Sequence, residues 1–156
     1  MKLRQLTADS FVANQLEASD FAMLKQLGFR SVLNNRPNSE SVDQPEEARL
    51  REAARRTGLR YAAAPIGNQD LTAAEVSATR AALASLPTPV CAFCRSGTRA
   101  MLAWAIIHSQ DGDEGIDVLK AVSAAGFQGN DVAQRLRNYY ERTNQEPLPV
   151  EEPLHD

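Results

Sequence analysis

Short apolar runs alternate along this chain with longer stretches in which apolar positions recur every three or four residues. The first pattern predicts strands and the second amphipathic helices. Near the start, "LRQLT" and "SFVAN" predict two strands. "EASDFAMLKQLGF" predicts a helix through Phe21, Leu24 and Leu27, stopped at Gly28. "RSVLNN" predicts a third strand, followed by the polar loop "NRPNSESVDQ", where Pro37 and Asn38 break regular structure. "PEEARLREAARRTG" predicts a helix with Pro45 in its first turn, Glu46 and Glu47 at its positive end and Gly58 closing it. "LRYAAAPI" is a weaker strand. In "LTAAEVSATRAALASL", Thr72 stands as N-cap with Glu75 three positions on, the pattern of a capping box. A buried strand, "PVCAF", comes next, then three helices in "TRAMLAWAIIHSQ", "EGIDVLKAVSAAG" and "NDVAQRLRNYYERT".

Strand and helix in alternation predict an α/β fold of three layers, a central mostly parallel sheet flanked by helices. In such sheets ligands bind beyond the carboxyl ends of the strands. Two unusual loops leave such ends here, "NNRPNSE" and "CRSGTR". No repeat or linker interrupts the pattern, so residues 1–142 are read as one catalytic domain. Residues 143–156 form an acidic, Pro-rich tail ("TNQEPLPVEEPLHD"), expected to fray or lie over the surface.

Composition narrows the partners. The 156 residues are 43% hydrophobic and 24% charged, the profile of an ordinary globular chain. A net charge of −3 lacks the basic footprint of a nucleic-acid binder. No apolar run reaches the roughly 18 residues needed to span a bilayer. "MKLRQLTADS" has no apolar core of a signal peptide, so a cytoplasmic location is expected. Two cysteines, Cys91 and Cys94, with the distant His108 and His155, make neither a disulfide framework nor a zinc site. No metal or cofactor is expected.

The chemistry concentrates in "PVCAFCRSGTRAMLAWAI", residues 89–106. Cys94 stands where a strand gives way to a loop just ahead of a helix. Backbone N–H groups at a helix N-terminus have no partners of their own, so they favour a thiolate and any anion it attacks. Gly97 permits backbone angles that let successive N–H groups curl toward one point. Arg99, in the first helical turn, can hold two oxygens of an oxyanion with its planar fork. Arg95 adds charge, and Ser96 or Thr98 can offer a hydroxyl. The plain alternative is a buried cysteine beside a turn whose arginines only solvate a helix end. Cys91 completes a C-x-x-C, but strand positions three apart face opposite sides, roughly 10 Å from each other, beyond disulfide reach. It is read as a small core residue.

"GFRSVLNNRPNSESVDQP", "GLRYAAAPI" and "PVCAFCRSGTRAMLAW", in that order, resemble the bacterial DUF442 family, the beta-lactamase-hydrolase-like phosphatase-like domain. The resemblance covers roughly residues 5–140. It implies a fold similar to the dual-specificity protein phosphatases. The same family occurs fused to sulfide-oxidising enzymes, where it implies rhodanese-like sulfur transfer.

Loop length and the rest of the chain point in different directions. Cysteine phosphatases carry five residues between cysteine and arginine, whereas four (Arg95, Ser96, Gly97 and Thr98) separate Cys94 from Arg99, and position 100 is alanine. Loops of the form C-R-S-G-x-R resemble those of rhodaneses, whose cysteine carries a persulfide. A phosphatase also needs a general acid. Asp70 precedes the cysteine at a distance resembling that of the acid in dual-specificity phosphatases, and Asp43 is a second candidate. Either carboxylate can instead be a solvated charge near a helix or loop. Arg36, in "NNRPN", either adds a positive contact at the mouth or pairs with Glu40 or Asp43. The leading expectation is a cysteine-dependent hydrolase of phosphomonoesters acting on a small anionic or phosphorylated substrate through a thiophosphate on Cys94. The alternatives are a sulfurtransferase using thiosulfate or a glutathione persulfide, and an anion-binding module without turnover.

Overall fold

In a computed structural model, residues 1–112 and 115–145 are described. Eleven elements follow in order: β1 (Leu3–Gln5), β2 (Ser10–Ala13), α1 (Asp20–Gln26), β3 (Ser31–Asn34), α2 (Glu47–Thr57), β4 (Arg60–Ala63), α3 (Ala73–Ser85), β5 (Val90–Phe93), α4 (Thr98–Asp111), α5 (Val118–Ala124) and α6 (Gly129–Thr143). Each lies where the hydrophobic pattern places it. The five strands form one sheet in the order β1-β2-β5-β3-β4. Only β1 runs antiparallel to its neighbour; β2, β5, β3 and β4 are parallel. The fold is thus the expected α/β sandwich of helix, sheet and helix.

The central strand β5 is buried along its whole length, and its side chains alternate between two cores. Cys91 and Phe93 pack with Phe21 and Leu24 of α1 and Leu50 and Ala54 of α2. Ala92 and Cys94 belong to the opposite cluster, with Ala103, Trp104 and Ile106 of α4, Val76 of α3, Val122 of α5 and Leu136 of α6. Cys91 is fully buried and its thiol is pushed up to about 12 by desolvation, which keeps it neutral and inert.

Local signals explain most boundaries. The Thr72 hydroxyl accepts from the Glu75 backbone N–H at 3.1 Å, and Glu75 accepts from the Thr72 N–H at 2.9 Å, the expected capping box. Gly58 closes α2 at φ +75°. Two details differ from expectation. Pro45 precedes α2 rather than entering it, because Glu46 is the N-cap and the Asn38 side chain accepts from the Glu47 N–H at 3.2 Å. Leu27 falls at the C-cap of α1 and is 58% exposed instead of facing the core. At the C-terminal end α6 runs through Thr143, and Gln145 accepts from the Tyr139 hydroxyl. Residues 146–156 of the expected tail, including His155, lie outside the described residues. Among the described residues no helix is long and apolar enough to cross a membrane.

Candidate active site

Parallel pairing of β3 with β5 sets Asn34 beside Phe93, so the two unusual loops leave the sheet together. This is also a point where strand order reverses, since the chain passes from β4 back to β5 between β2 and β3. Hydrogen bonds stitch the two loops at their roots. The Asn35 N–H donates to the Phe93 carbonyl at 2.8 Å, and the Asn35 amide reaches the Ala64 carbonyl at 2.8 Å. The Gln15 N–H donates to the Arg95 carbonyl at 3.1 Å, tying the cysteine loop to the end of β2.

Cys94 is fully buried at the end of β5, and its Sγ accepts the Gly97 N–H at 3.1 Å. Gly97 is the N-cap of α4, with φ +94°. A Cβ there would stand 3.4 Å from the Ala13 carbonyl oxygen, on a backbone that side chains rarely adopt. The sequence therefore needs glycine at the point where the chain turns its N–H onto sulfur. Arg95 and Ser96 are exposed, and the Ser96 hydroxyl donates to Thr98 Oγ1 at 3.1 Å.

Arg99 is locked from one side. Its Nη1 donates to Glu40 Oε2 at 2.7 Å and to the Ile66 carbonyl at 2.7 Å, while Nη2 donates to Glu40 Oε1 at 2.9 Å. These bonds use the end of the guanidinium fork. The Nε–H and the second Nη2–H share the other edge of the fork, and a hydrogen bond also links Arg99 to Cys94. Arg99 is held protonated above its ordinary range, chiefly by Glu40 and also by the charge and hydrogen bond of Cys94. The Arg99 hydrogen bond, with that of Arg36, holds the Glu40 carboxyl down at about 2 against the opposing effect of desolvation.

Arg36 pairs with the same carboxylate. It is 6% exposed, donating through Nε to Glu40 Oε1 and through Nη1 to Gln15 Oε1, both at 2.9 Å. Of the alternatives open in the sequence, pairing with Glu40 is the one formed. Two guanidinium groups share one carboxylate, so the cluster keeps a net positive charge for an anion.

The two acid candidates part company. Asp70 is exposed and lines a cavity of about 610 Å³ together with Ser96, Thr98 and Arg99. Asp43 lines a separate depression beside Ser19 and Arg49. It bonds the Ser41 hydroxyl, and that bond, ahead of the charges of Arg36 and Arg95, lowers its carboxyl from the ordinary range. Glu75 shapes the loop that carries Asp70, accepting from the Gly67 N–H at 2.8 Å as well as from Thr72. Among the described residues, no group of three or more His, Cys, Asp or Glu side chains is arranged to hold a metal ion. Gln15 escaped the sequence reading, and Glu40 entered it as a partner of Arg36 but not of Arg99. Both are single polar residues in loops, where no periodicity marks a partner.

The model of the beta-lactamase hydrolase-like protein, phosphatase-like domain, matches residues 2–112. A beta-lactamase hydrolase-like protein of Xylella fastidiosa is 32% identical over 128 residues, which are 81% of this chain and 30% of the relative. The chain thus spans about 30% of the length of such curated relatives. A crystal structure from Neisseria meningitidis, described as a candidate phosphatase, is 27% identical with a TM-score of 0.76, covering 88% of this chain and 98% of that one. The core catalytic domain of the PP-IP phosphatase Siw14 of S. cerevisiae, in complex with citrate, superposes with a TM-score of 0.63 at 14% identity, covering 97% of each chain.

Proposed function

The chain belongs to the family of the beta-lactamase hydrolase-like protein, phosphatase-like domain, and from that premise we propose that it is a cysteine-dependent phosphatase acting on small anionic phosphomonoesters. The observation that carries this reading is the pairing at one helix N-terminus of Cys94 Sγ, bonded by the Gly97 N–H, with Arg99, fixed by Glu40 and hydrogen-bonded to Cys94. Citrate in the yeast structure is an anion bound by a protein of the same fold, which agrees with an anionic substrate.

In this mechanism the Cys94 thiolate attacks phosphorus while the bond from phosphorus to the leaving oxygen breaks. Asp70, in its acid form, gives its proton to that oxygen. Arg99 holds two equatorial oxygens, and the loop amides of residues 95–99 meet the developing charge. The Asp70 carboxylate then takes a proton from water, which attacks the thiophosphate. The phosphorus–sulfur bond breaks, inorganic phosphate leaves and the thiolate is restored.

A second reading has its own support in the four-residue spacing from Cys94 to Arg99. The thiolate attacks the outer sulfur of thiosulfate, the sulfur–sulfur bond breaks, sulfite leaves and Cys94 becomes a persulfide. An acceptor thiolate then removes that sulfur, and no general acid is needed. One side-by-side assay separates the two. The phosphatase reading expects turnover of 4-nitrophenyl phosphate that vanishes in Cys94→Ser. Asp70→Asn should slow alkyl phosphates about 10²–10⁴-fold while largely sparing aryl ones. No phosphate release, with a gain of roughly 32 mass units on Cys94 from thiosulfate, replaces it with sulfur transfer.

A further inference from the structure

The cavity lined by Arg99 and Asp70 also takes in Ser96 and Thr98 of the loop that follows Cys94. Its volume of about 610 Å³ is in the range that encloses a whole small ligand, far more than one phosphoryl group. Its far wall is one face of α6, with Arg135, Asn138, Tyr139 and Arg142 at the spacing of successive helical turns. This helix lies beyond residues 2–112, the part matched by the family model. That wall of the cavity therefore comes from α6.

Charge in the cavity is lopsided. Three guanidinium groups, those of Arg99, Arg135 and Arg142, line it against the single carboxylate of Asp70. Arg142 is aimed by neutral partners: Nη2 donates to the Leu71 carbonyl at 2.6 Å, and Nη1 to the Asn138 carbonyl at 3.4 Å. Its guanidinium sits 5.8 Å from the ring centre of Tyr139, a 1% exposed side chain that stiffens the position. These contacts orient the cation in the cavity that Asp70 also lines, without neutralising it. Arg135 pairs with Asp131 at 3.1 Å, but both side chains are about half exposed, and such pairs are weak enough to exchange for a ligand.

We propose that the substrate carries a second anionic group on its leaving side, held by Arg142 with Arg135 while Arg99 holds the transferring phosphoryl group. The chemical class is a small bisphosphate, or a phosphomonoester bearing a carboxylate at the far end. This rests on the phosphatase reading for the identity of the transferred group, and the test keeps the two apart.

Binding is measured by calorimetry on the full chain carrying Cys94→Ser, so no turnover is needed. The probes are butyl phosphate and the bisphosphates of propane-, butane- and hexanediol. One bisphosphate should bind at least about ten-fold more tightly than butyl phosphate, and Arg135→Gln with Arg142→Gln should bring that ratio to near one. Equal affinities in the parent chain, or an unchanged ratio in the double variant, overturn the subsite. Should the double variant lose helix by circular dichroism, Arg142→Lys and Arg135→Gln alone read the same ratio. Turnover of 4-nitrophenyl phosphate by the unmodified chain is scored separately. A bisphosphate preference without turnover sinks the phosphatase reading and keeps the subsite, and turnover without preference does the reverse.

Discussion

Glu40 accepts hydrogen bonds from two arginines that otherwise face each other inside the protein. Their side chains are 5% and 16% exposed, so little water screens their repulsion. Glu40→Gln should destabilise the fold by about 2–3 kcal/mol. It should also cut kcat about 10–100-fold, because Arg99 loses its fixed orientation. The pH dependence follows from the lowered carboxyl. Its folded value of about 2 lies below the ordinary 4.5, so the stabilisation is complete above 4.5 and lost as pH falls toward 2. Urea unfolding from pH 3 to 7 should then show a gap between parent and Glu40→Gln that is constant above about pH 5 and narrows in acid. A gap that stays the same at pH 3 would remove the carboxylate from the account.

At the scale of elements, the capping box of α3 does more than start a helix. Glu75 binds the N–H groups of both Gly67 and Thr72, and so brackets the loop on which Asp70 sits. Thr72→Ala should cost about 1 kcal/mol, read as a fall in Tm. Glu75→Gln keeps the shape but halves the acceptor set, and should depress turnover of alkyl phosphates more than of aryl ones. An equal effect on both would mean that Asp70 does not depend on this bracket. The cap itself was legible in the sequence, because Thr72 and Glu75 are three residues apart and the bond is local. The strands and helices were legible for the same reason, their periodicities being local. The bond from Arg36 to Gln15 was not, since a loop arginine is ordinarily solvated and only the fold brings Gln15, 21 positions away, to its Nη1. Nor was the Glu40–Arg99 pair, 59 residues apart.

For the molecule as a whole, the question is how much of the chain the active site needs. The family model ends at residue 112, yet Val122, Val132, Leu136 and Tyr139 of α5 and α6 are 0–8% exposed and pack in the same core as α4. Helical periodicity predicted that these helices have an apolar face, but not that the face closes over the helix carrying Arg99. Losing four large buried side chains forfeits roughly 6–12 kcal/mol at 1.5–3 kcal/mol each, comparable with the entire stability of an ordinary domain, about 5–15 kcal/mol. A chain ending at residue 112 should therefore lack a cooperative thermal transition and bind a hydrophobic dye, with phosphatase activity gone as well. A truncated chain that melts sharply near the parent Tm would show that α5 and α6 only lean on a self-sufficient core. If it also hydrolysed 4-nitrophenyl phosphate at the parent rate, the cavity wall on α6 would have no part in holding the Cys94 loop in its working shape.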